Sequence, residues 1–354
     1  MTFAIGGRHI ATDQPPFVIA EAGVNHNGDL ELALRLVDAA AEAGADAVKF
    51  QTFRAASLAT ADAELAAYQR SGDTAGSQRA MLARLELPVD AWSDLASRAR
   101  DRGITFLSTP FDPESVTLLA ALDLPAMKVG SGDLTNAILL RAVGRLRLPT
   151  ILSTGMGTLE DVASAVRVVR DAGTSEIALL HCASIYPAPL DDLNLRAIGT
   201  LADEFGLPVG FSDHSDGLLA AVAAVASGAV IVEKHLTLDR SLNGPDHAAS
   251  LEPDAFSRMV EEVRATWEAL GDGAKRPRPG EVEIMRVARR SLVARRELEP
   301  GHALALEDLD ARRPGTGISP MRIDDVVGRR LARPLRAEQL LEPADLDPPL
   351  DEPR

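Results

Sequence analysis

The sequence is poor in cysteine and aromatic residues, and it contains no long apolar run. Among its 354 residues there is one cysteine, Cys182, which excludes a disulfide framework and a cysteine-rich zinc site. No apolar run approaches the ~18 residues that a membrane-spanning helix needs. Residues 1–16 lack the basic segment and apolar stretch of a secretory signal. These absences predict a cytoplasmic protein that does not associate with a membrane.

Basic charge is also scarce. The chain has 37 Lys+Arg against 52 Asp+Glu, which gives a net charge of -15 at pH 7. Nucleic-acid binding needs clustered lysine and arginine to neutralise phosphates, so this balance argues against a nucleic-acid partner. The apolar fraction of 46% is that of a folded globular protein.

Short apolar runs alternate with helical patterns through most of the chain. The runs cover residues 16–22, 45–52, 104–109, 126–130, 149–154, 176–181, 208–213 and 229–235. Such runs are expected of strands that are covered on both faces in a parallel sheet. Eight strand–helix repeats within residues 1–270 predict an α/β fold, a (β/α)₈ TIM barrel. A doubly wound sheet would carry a glycine fingerprint after its first strand, and the sequence EAGVNHNGD at that point does not match it.

The composition changes after residue 270. Residues 271–284 are rich in glycine, proline and charge, which predicts a linker. Residues 285–347 contain short apolar pairs separated by turn signals, which predicts a small β-rich domain with little helix. The tail, residues 348–354, is predicted to be disordered. At the other end, the apolar pair around Gly6-Gly7 predicts a hairpin before the barrel.

Ionisable side chains stand at the ends of the predicted strands. The active site of a TIM barrel lies at the carboxyl ends of its strands, so we expect these groups to converge. The argument depends on Glu21, Lys49, Lys128, His214 and His235. Lysine and histidine are poor helix caps, so a capping role does not explain this set. The sequence therefore predicts one active site at this face of the barrel.

Two strand ends have the pattern of an anion site. The sequence GSGDLTN starts two residues after Lys128, and STGMGTLED follows Leu152. Both are Gly/Ser loops that open onto a helix, where free backbone N–H groups and the helix dipole attract phosphate or carboxylate. Together with the charges of Lys49 and Lys128, these loops predict a local anion pocket in a protein that is acidic overall.

The histidines predict a metal site. His214 and His235 end neighbouring strands, so their imidazoles can approach one ion. Without a thiolate cluster, imidazole and oxygen ligands with open positions favour Mn²⁺ or Mg²⁺ over Zn²⁺. Asp213 and Glu233 are candidates for further ligands or for the groups that orient the imidazoles. Alternation along the strand points Cys182 away from His181. Cys182 is therefore predicted to be a small, buried apolar residue.

At these residues the sequence resembles the bacterial sialic acid synthase family, over about residues 16–345. The motifs that carry the resemblance are IAEAGVNHNGD, VKFQTF, STPFD, MKVGSGD, STGM, LLHCASIYPAP, GFSDHS, EKHLTLDRSLNGPDHAASLEP and RRPGTGISPM. The family consists of a TIM barrel followed by a small antifreeze-protein-like (SAF) domain. Its members condense phosphoenolpyruvate with an N-acetylated six-carbon amino sugar, which releases phosphate and gives a nine-carbon 2-keto acid.

The resemblance also implies roles for particular residues. Phosphoenolpyruvate would be held by Lys49, Gln51, Thr109, Lys128, Ser131, Ser153, Ser184 and Tyr186. His214 and His235 would bind the divalent metal, and Glu21 and Asp133 would face the reacting centre. Many members have Glu at the position of Asp133. Asp246 would contact the sugar, and Arg313 would reach the active site of the other protomer of a domain-swapped homodimer.

Three hypotheses about function remain at this point. The main one is an N-acetylneuraminate synthase that uses N-acetylmannosamine as acceptor. The alternative is an N,N'-diacetyllegionaminate synthase that uses 2,4-diacetamido-2,4,6-trideoxymannose, and a pseudaminic-type acceptor is disfavoured. A non-catalytic binding protein is the third, although a decayed site would be expected to lose at least one of Glu21, Lys49, Lys128, His214 and His235.

Overall fold

The computed structural model describes residues 3–65 and 76–351 of the chain. It divides into two compact units, Met1–Gly271 and Asp272–Arg354. None of the helices within the described residues is both long enough and apolar enough to cross a membrane.

Eight parallel strands form the sheet of the first unit. They are β3 (Phe17–Gly23), β4 (Ala47–Thr52), β5 (Thr105–Pro110), β6 (Met127–Val129), β7 (Thr150–Ser153), β8 (Ile177–Cys182), β9 (Val209–Asp213) and β10 (Ile231–His235). Their order is β5-β4-β3-β10-β9-β8-β7-β6, and the two end strands β5 and β6 contact each other. The sheet therefore curls into a barrel, and the α/β TIM-barrel prediction is confirmed.

Helices follow the strands, and most of them cover the outside of the sheet. They are Leu30–Glu42, Ala55–Leu58, Gln78–Leu85, Ala91–Asp101, Pro113–Ala120, Ala137–Arg145, Leu159–Ala172, Ala197–Phe205, Leu219–Ala226 and Pro253–Leu270. Several of these helices begin at side chains that cap the free N–H groups of the first turn. Asp112 caps the helix that starts with Pro113, and Thr158 and Asp161 form a reciprocal capping box.

Alternation along each strand separates two apolar layers. Val18 and Ala20 of β3 pack outward against the helices, whereas Phe17 and Ile19 pack inside the barrel. The same parity directs Glu21 to the interior. The hairpin predicted at the N-terminus is present as β1 (Ala4–Ile5) and β2 (Arg8–His9), and its Ile5 joins the interior cluster.

Four short strands and a leucine-rich core make up the second unit. β11 (Ser291–Ala294) pairs with β12 (Leu309–Arg312), and β13 (Arg330–Leu331) pairs with β14 (Leu346–Asp347), both antiparallel. The core contains Leu292, Leu298, Leu304, Leu309, Leu331, Leu335, Leu341 and Leu346, all buried. This agrees with the β-rich domain that the sequence predicts, which also contains the short helix Ile323–Val326.

Two details differ from the sequence prediction. Part of the segment predicted as a linker forms the helix Pro279–Ala288, because Pro279 suits a first helical position and the Glu281 carboxylate accepts the Arg278 N–H at 2.8 Å. Leu350, placed in the disordered tail, is 5% exposed and packs in the core of the second unit. The last three residues of the predicted tail, residues 352–354, lie outside the described residues.

Candidate active site

The carboxyl ends of the barrel strands open into one cavity of about 470 Å³. Most of the predicted site residues line it. These are Glu21, Lys49, Gln51, Thr109, Lys128, Ser131, Ser153, Ser184, Tyr186, His214, His235 and Asp246. The predicted convergence of polar strand ends therefore occurs in the structure, with Asp133 and Arg313 as the two exceptions.

Two lysines and two glutamates form the floor of the cavity. Lys49 Nζ lies 2.6 Å from Glu21 Oε2. Glu233 Oε1 lies 3.7 Å from the Nζ atoms of both Lys49 and Lys128. All four side chains are at most 7% exposed. The lysines thus have carboxylate partners on the floor itself, which the sequence did not predict.

Burial and pairing set the charge state of this floor. Burial raises the pKa of Glu21, and Lys49 offsets this only in part. Burial also works against the charge of Lys49, but Glu21 and Glu233 outweigh it and raise the pKa of that lysine. For Lys128 burial dominates and lowers the pKa. Glu21 is therefore the floor carboxyl best suited to take up and release a proton.

Hydroxyl and amide groups of neighbouring strands fix the charged side chains. Lys49 Nζ donates to Thr109 Oγ1 at 3.0 Å, and Lys128 Nζ donates to Ser153 Oγ at 2.6 Å. Gln51 Nε2 donates to Glu21 Oε1 at 2.9 Å. Each charge is thus held between two adjacent strands, which limits its movement when a ligand binds.

The loops after β6, β7 and β8 meet at Gly155. Its N–H donates to Ser131 Oγ at 3.0 Å. A Cβ atom at this position would lie 2.8 Å from Ser131 Oγ and would collide with Ser184 Oγ. A side chain at this position would displace the hydroxyls, so glycine lets two hydroxyls and a backbone N–H share a small space. We call Ser131, Gly155 and Ser184 the anion cradle, because donors in this arrangement suit phosphate oxygens.

Three aromatic rings line the cavity next to the cradle. The ring centroids of His214 and His235 are 5.5 Å apart, and Tyr186 lies 4.1 Å from His214 and 6.0 Å from His235. His214 Nδ1 contacts the Ala183 carbonyl at 2.9 Å, which leaves Nε2 for another partner. His235 Nδ1 is buried without a hydrogen bond from any described residue, and it lies 3.8 Å from Asp246 Oδ2.

These two imidazoles fit a divalent cation as an incomplete donor set. Burial and the surrounding cations hold the pKa of His235 well below its ordinary value, so its ring is neutral, as a metal ligand must be. Within the described residues no group of three or more His, Cys, Asp and Glu is arranged to hold a metal. A cation here would therefore take its remaining ligands from water and substrate, which leaves the open positions of a catalytic site.

A buried ion pair outside the cavity ties the two histidine-bearing strands together. Lys234 Nζ donates to Asp213 Oδ2 and to the Ser215 carbonyl, both at 2.7 Å. Asp213 Oδ1 accepts from the Ser215 N–H and Oγ at 2.8 and 2.7 Å. The chain on both sides of His214 is therefore fixed to the residue that precedes His235.

Lysine is used almost exclusively at these strand ends. The sequence has four lysines and 33 arginines. Lys49, Lys128 and Lys234 are 2%, 2% and 1% exposed, whereas Lys275 is exposed.

The structure corrects the prediction for Cys182. Its side chain is 7% exposed, but it lines the cavity, and Sγ lies 3.7 Å from both His214 Nδ1 and Ser184 Oγ. Alternation does separate it from its neighbour, but it is His181 that points outward, where Nε2 contacts the Leu193 carbonyl at 2.7 Å. Alternation alone could not assign the inward face.

Asp133 and Arg313 lie elsewhere. Asp133 ends a short 3₁₀ turn after β6 and is 8% exposed. It accepts from Asn136 Nδ2 at 2.8 Å and does not line the cavity. Arg313 belongs to the second unit, where its exposed side chain donates from Nε to the Ala288 carbonyl at 3.0 Å.

Sequence reasoning missed two parts of the site. Glu233 was considered only as a metal ligand or its support, although alternation with His235 could have placed it on the floor. The second part is an apolar wall, which consists of Val24, Leu58, Met81, Leu82, Leu85 and Phe111. These residues come from separate loops and two helices, so no single sequence pattern reveals them.

Comparison with known proteins then decides the family. The family model described as NeuB family matches residues 36–275. The chain belongs to the NeuB family. A second family model, described as SAF domain, matches residues 289–347. The predicted combination of a TIM barrel with a C-terminal SAF domain is thus confirmed for this NeuB family member.

Three relatives cover nearly the whole of their own length. The N,N'-diacetyllegionaminic acid synthase of Legionella pneumophila is 46% identical, over 91% of this chain and 92% of that protein. The synthase of the same name from Campylobacter jejuni is 42% identical, over 92% and 98%. The crystal structure of an N-acetylneuraminic acid (sialic acid) synthetase from Leptospira borgpetersenii, in complex with citrate, has a TM-score of 0.71 and 36% identity, and the match covers 80% of this chain and 95% of that one.

Proposed function

We propose that the protein condenses phosphoenolpyruvate with 2,4-diacetamido-2,4,6-trideoxymannose, which gives N,N'-diacetyllegionaminate and phosphate. The observation that carries the condensation is the buried floor of Lys49, Lys128, Glu21 and Glu233 beside the anion cradle. Such a floor suits a small, highly charged anion and a proton transfer next to it.

The choice of acceptor departs from the main sequence-based hypothesis. The sequence favoured N-acetylmannosamine. The two relatives that are 46% and 42% identical are both named N,N'-diacetyllegionaminic acid synthases, so the relatives support the alternative better. N-acetylmannosamine remains the second candidate because the matching synthetase structure is named for sialic acid.

Phosphoenolpyruvate would be bound by residues of three neighbouring loops and the floor. The hydroxyls of Ser131 and Ser184 would donate to the phosphate, and the Gly155 N–H would hold the Ser131 hydroxyl in place. Lys128 and Lys49 would neutralise the charge of the anion, since charge-assisted hydrogen bonds to anions are the strong ones. The carboxylates that pair with these lysines would then be free to act on the reacting atoms.

The reaction forms a C–C bond and a C–O bond to water, breaks the C–O bond to phosphate, and leaves a proton on the former aldehyde oxygen. C3 of phosphoenolpyruvate attacks the aldehyde carbon of the open-chain sugar, and positive charge develops at C2. Water adds to C2, and the C2–O bond to phosphate then breaks to leave the 2-keto acid. Glu21 is the residue that we assign to the proton of this water, because its raised pKa suits a group that exchanges protons.

His214 and His235 would hold a divalent cation, Mn²⁺ or Mg²⁺. The chemistry that such a cation supplies when bound is Lewis-acid polarisation of the aldehyde oxygen. Tyr186, which packs on His214, would keep the two rings in place. Asp246, near His235, would accept hydrogen bonds from sugar hydroxyls.

A phosphate-release assay with the two candidate sugars tests the proposal. We expect phosphate release that requires both phosphoenolpyruvate and sugar, that EDTA abolishes, and that Mn²⁺ or Mg²⁺ restores. His235→Ala should bind Mn²⁺ more weakly by calorimetry and lose turnover. If no phosphate is released with either sugar in the presence of Mn²⁺, the proposed reaction is contradicted.

We also propose that the protein acts as a domain-swapped homodimer in which the partner supplies Arg313. Mixing an Arg313→Ala protein with a Lys49→Ala protein should restore part of the activity, since one site of the mixed dimer would be intact. Absence of recovery, after mass spectrometry has shown subunit exchange, would mean that Arg313 does not act across the dimer.

A further inference from the structure

The rim of the cavity has three chemically different sectors. The anion cradle follows β6, β7 and β8, and the two histidines stand at the ends of β9 and β10. The apolar wall occupies the remaining sector, since Val24 follows β3, Phe111 follows β5, and the two helices with the other wall residues follow β4. β3 is the neighbour of β10 in the barrel, so the wall lies next to the histidine sector.

The wall is a built surface. Met81 and Leu85 are 2% and 7% exposed, and they form an apolar cluster against which Leu58, Leu82 and Phe111 pack as half-buried residues. The two helices of the wall are joined to each other, because Glu86 Oε1 accepts the Ala55 N–H at 2.6 Å. The ring of Phe111 packs edge-on against Phe53 at 6.2 Å between centroids.

The loop after β3 is also pressed against the wall. A Cβ atom at Gly28 would collide with the Arg84 carbonyl oxygen, and Gly28 has φ +78. The end of helix Gln78–Leu85 therefore lies in direct contact with the loop that follows Glu21. An apolar surface fixed in this way will not rearrange to satisfy polar groups placed against it.

We propose that the apolar wall binds the methyl groups of the acceptor and selects 2,4-diacetamido-2,4,6-trideoxymannose over N-acetylmannosamine. This inference rests on the proposed function. Phosphoenolpyruvate would occupy the cradle and floor, and the aldehyde end of the sugar would lie at the histidine sector. The wall is then the surface left for the substituents further along the acceptor.

The chemistry of the two acceptors differs at C4 and C6. N-acetylmannosamine has hydroxyls at C4 and C6, whereas the trideoxy sugar has an acetamido group at C4 and a methyl group as C6. The change at C4 replaces a hydroxyl by a group that ends in a methyl, and the change at C6 removes a hydroxyl and leaves a methyl. A hydroxyl against the wall loses its hydrogen bond to water, and a methyl there leaves water favourably.

Gln78 adds a polar contact at the edge of the wall. It lines the cavity and lies one helical turn from Leu82. Its side-chain amide can donate to and accept from the acetamido group at C4 while the acetyl methyl meets the wall. One methyl group in an apolar pocket typically changes kcat/KM by about 10- to 200-fold, so we expect a preference of about 100-fold for the trideoxy sugar.

The test is the ratio of kcat/KM for the two sugars in the full-length protein. Leu82→Gln and Leu58→Asn should each lower the ratio about tenfold or more, with the KM for phosphoenolpyruvate unchanged. Leu82→Met should keep the wild-type ratio. The matched control is Leu270→Gln, a half-exposed leucine at the end of a barrel helix, which should leave the ratio unchanged.

The outcomes separate this inference from the proposed function. A wild-type protein that turns over both sugars equally well overturns the role of the wall and leaves the condensation intact. An unchanged ratio in both wall variants, with unfolding midpoints near that of the wild type, overturns it as well. Two variants at different helices keep the test decisive should one of them fail to fold.

Discussion

Among the described residues, ion pairs with both side chains buried occur in the barrel, whereas each ion pair of the second unit has at least one side chain that is not buried. In the barrel, the side chains of Lys49 and Glu21 are both 3% exposed, and those of Lys234 and Asp213 are 1% and 0% exposed. In the second unit, Arg312 and Glu338 are 46% and 69% exposed.

This difference bears on what the pairs are for. Desolvation of a buried pair often cancels its mutual attraction, so such a pair is weak support for stability. An exposed pair costs little and contributes about 0–1 kcal/mol. The barrel keeps its buried pairs at the ends of strands around one cavity, which indicates a role in chemistry and in the placement of catalytic groups.

The largest effect should come from a floor lysine. Lys128→Met leaves Glu233 with one lysine fewer and removes a cation from the anion site. We expect kcat/KM for phosphoenolpyruvate to fall by about 10²- to 10³-fold, since truncating one partner of a buried, hydrogen-bonded charge contact to a bound group costs about 2–5 kcal/mol. Steady-state phosphate release measures this. A decrease of less than tenfold would mean that the anion binds elsewhere.

The buried pair outside the cavity should affect stability more directly. Lys234→Met leaves Asp213 buried without its cation, and we expect the free energy of unfolding to fall by about 3–5 kcal/mol. The double variant Lys234→Met/Asp213→Asn should recover part of this loss, because the uncompensated charge is gone. Urea unfolding at pH 7 measures both. Equal stability of the single variant and the wild type would show that the pair is not a constraint on β9 and β10.

A buried histidine of the barrel, His26, should make the unfolding free energy depend on pH. His26 is 1% exposed, and its Nδ1 accepts the Gly28 N–H at 3.0 Å. Burial lowers its pKa to about 4, with Asp29 opposing and His247 adding to the shift. As the pH falls, His26 takes up a proton in the unfolded chain before it does so in the folded protein. The contribution of neutral His26 to the unfolding free energy is therefore complete above about pH 6.5 and is lost toward pH 4.

We expect this histidine to account for a loss of about 3 kcal/mol in unfolding free energy over that range. The quantity to compare is the pH slope of the unfolding free energy in the wild type and in His26→Gln, which should be shallower in the variant. Parallel slopes would assign the acid sensitivity to other groups.

The smallest effect should come from the exposed pair. Glu338→Gln removes a partner of Arg312 at the surface of the second unit, and water replaces it. We expect the unfolding free energy to change by less than about 1 kcal/mol, with activity unchanged. A loss as large as that of Lys234→Met would erase the distinction between the two units.

Much of the fold could be predicted from the sequence because local and tertiary signals agree there. Strand β10 was expected at residues 229–235 and is observed at Ile231–His235, since an apolar run bounded by polar groups is typical of a buried parallel strand. The helix Pro279–Ala288 was missed because none of its residues is buried. Its Val282, Ile284 and Val287 are exposed, so no apolar face pointed inward.

The site was predictable in its members and less so in their pairings. Strand ends identified Lys49, Lys128, His214 and His235, since a barrel brings these ends together. The contact of each lysine with a glutamate depends on which strands are neighbours and on their register, as with Glu21 beside Lys49. Strand order in a barrel follows the chain, but a linear pattern does not give the register. The apolar wall was hidden because its residues come from separate loops and two helices.

Because most of the lysines are buried, amine-selective reagents can be used to probe the access of solvent to the cavity. Lys275 is the one lysine side chain on the surface, while the other three are enclosed at the strand ends. On most proteins, amine-selective reagents label the exterior indiscriminately. Here the acylation of lysine would divide into a fast reaction at Lys275 and slow reactions at the three buried lysines. Peptide mass spectrometry of Lys49 and Lys128, which line the cavity, would then report how far the cavity opens and how completely a bound anion closes it.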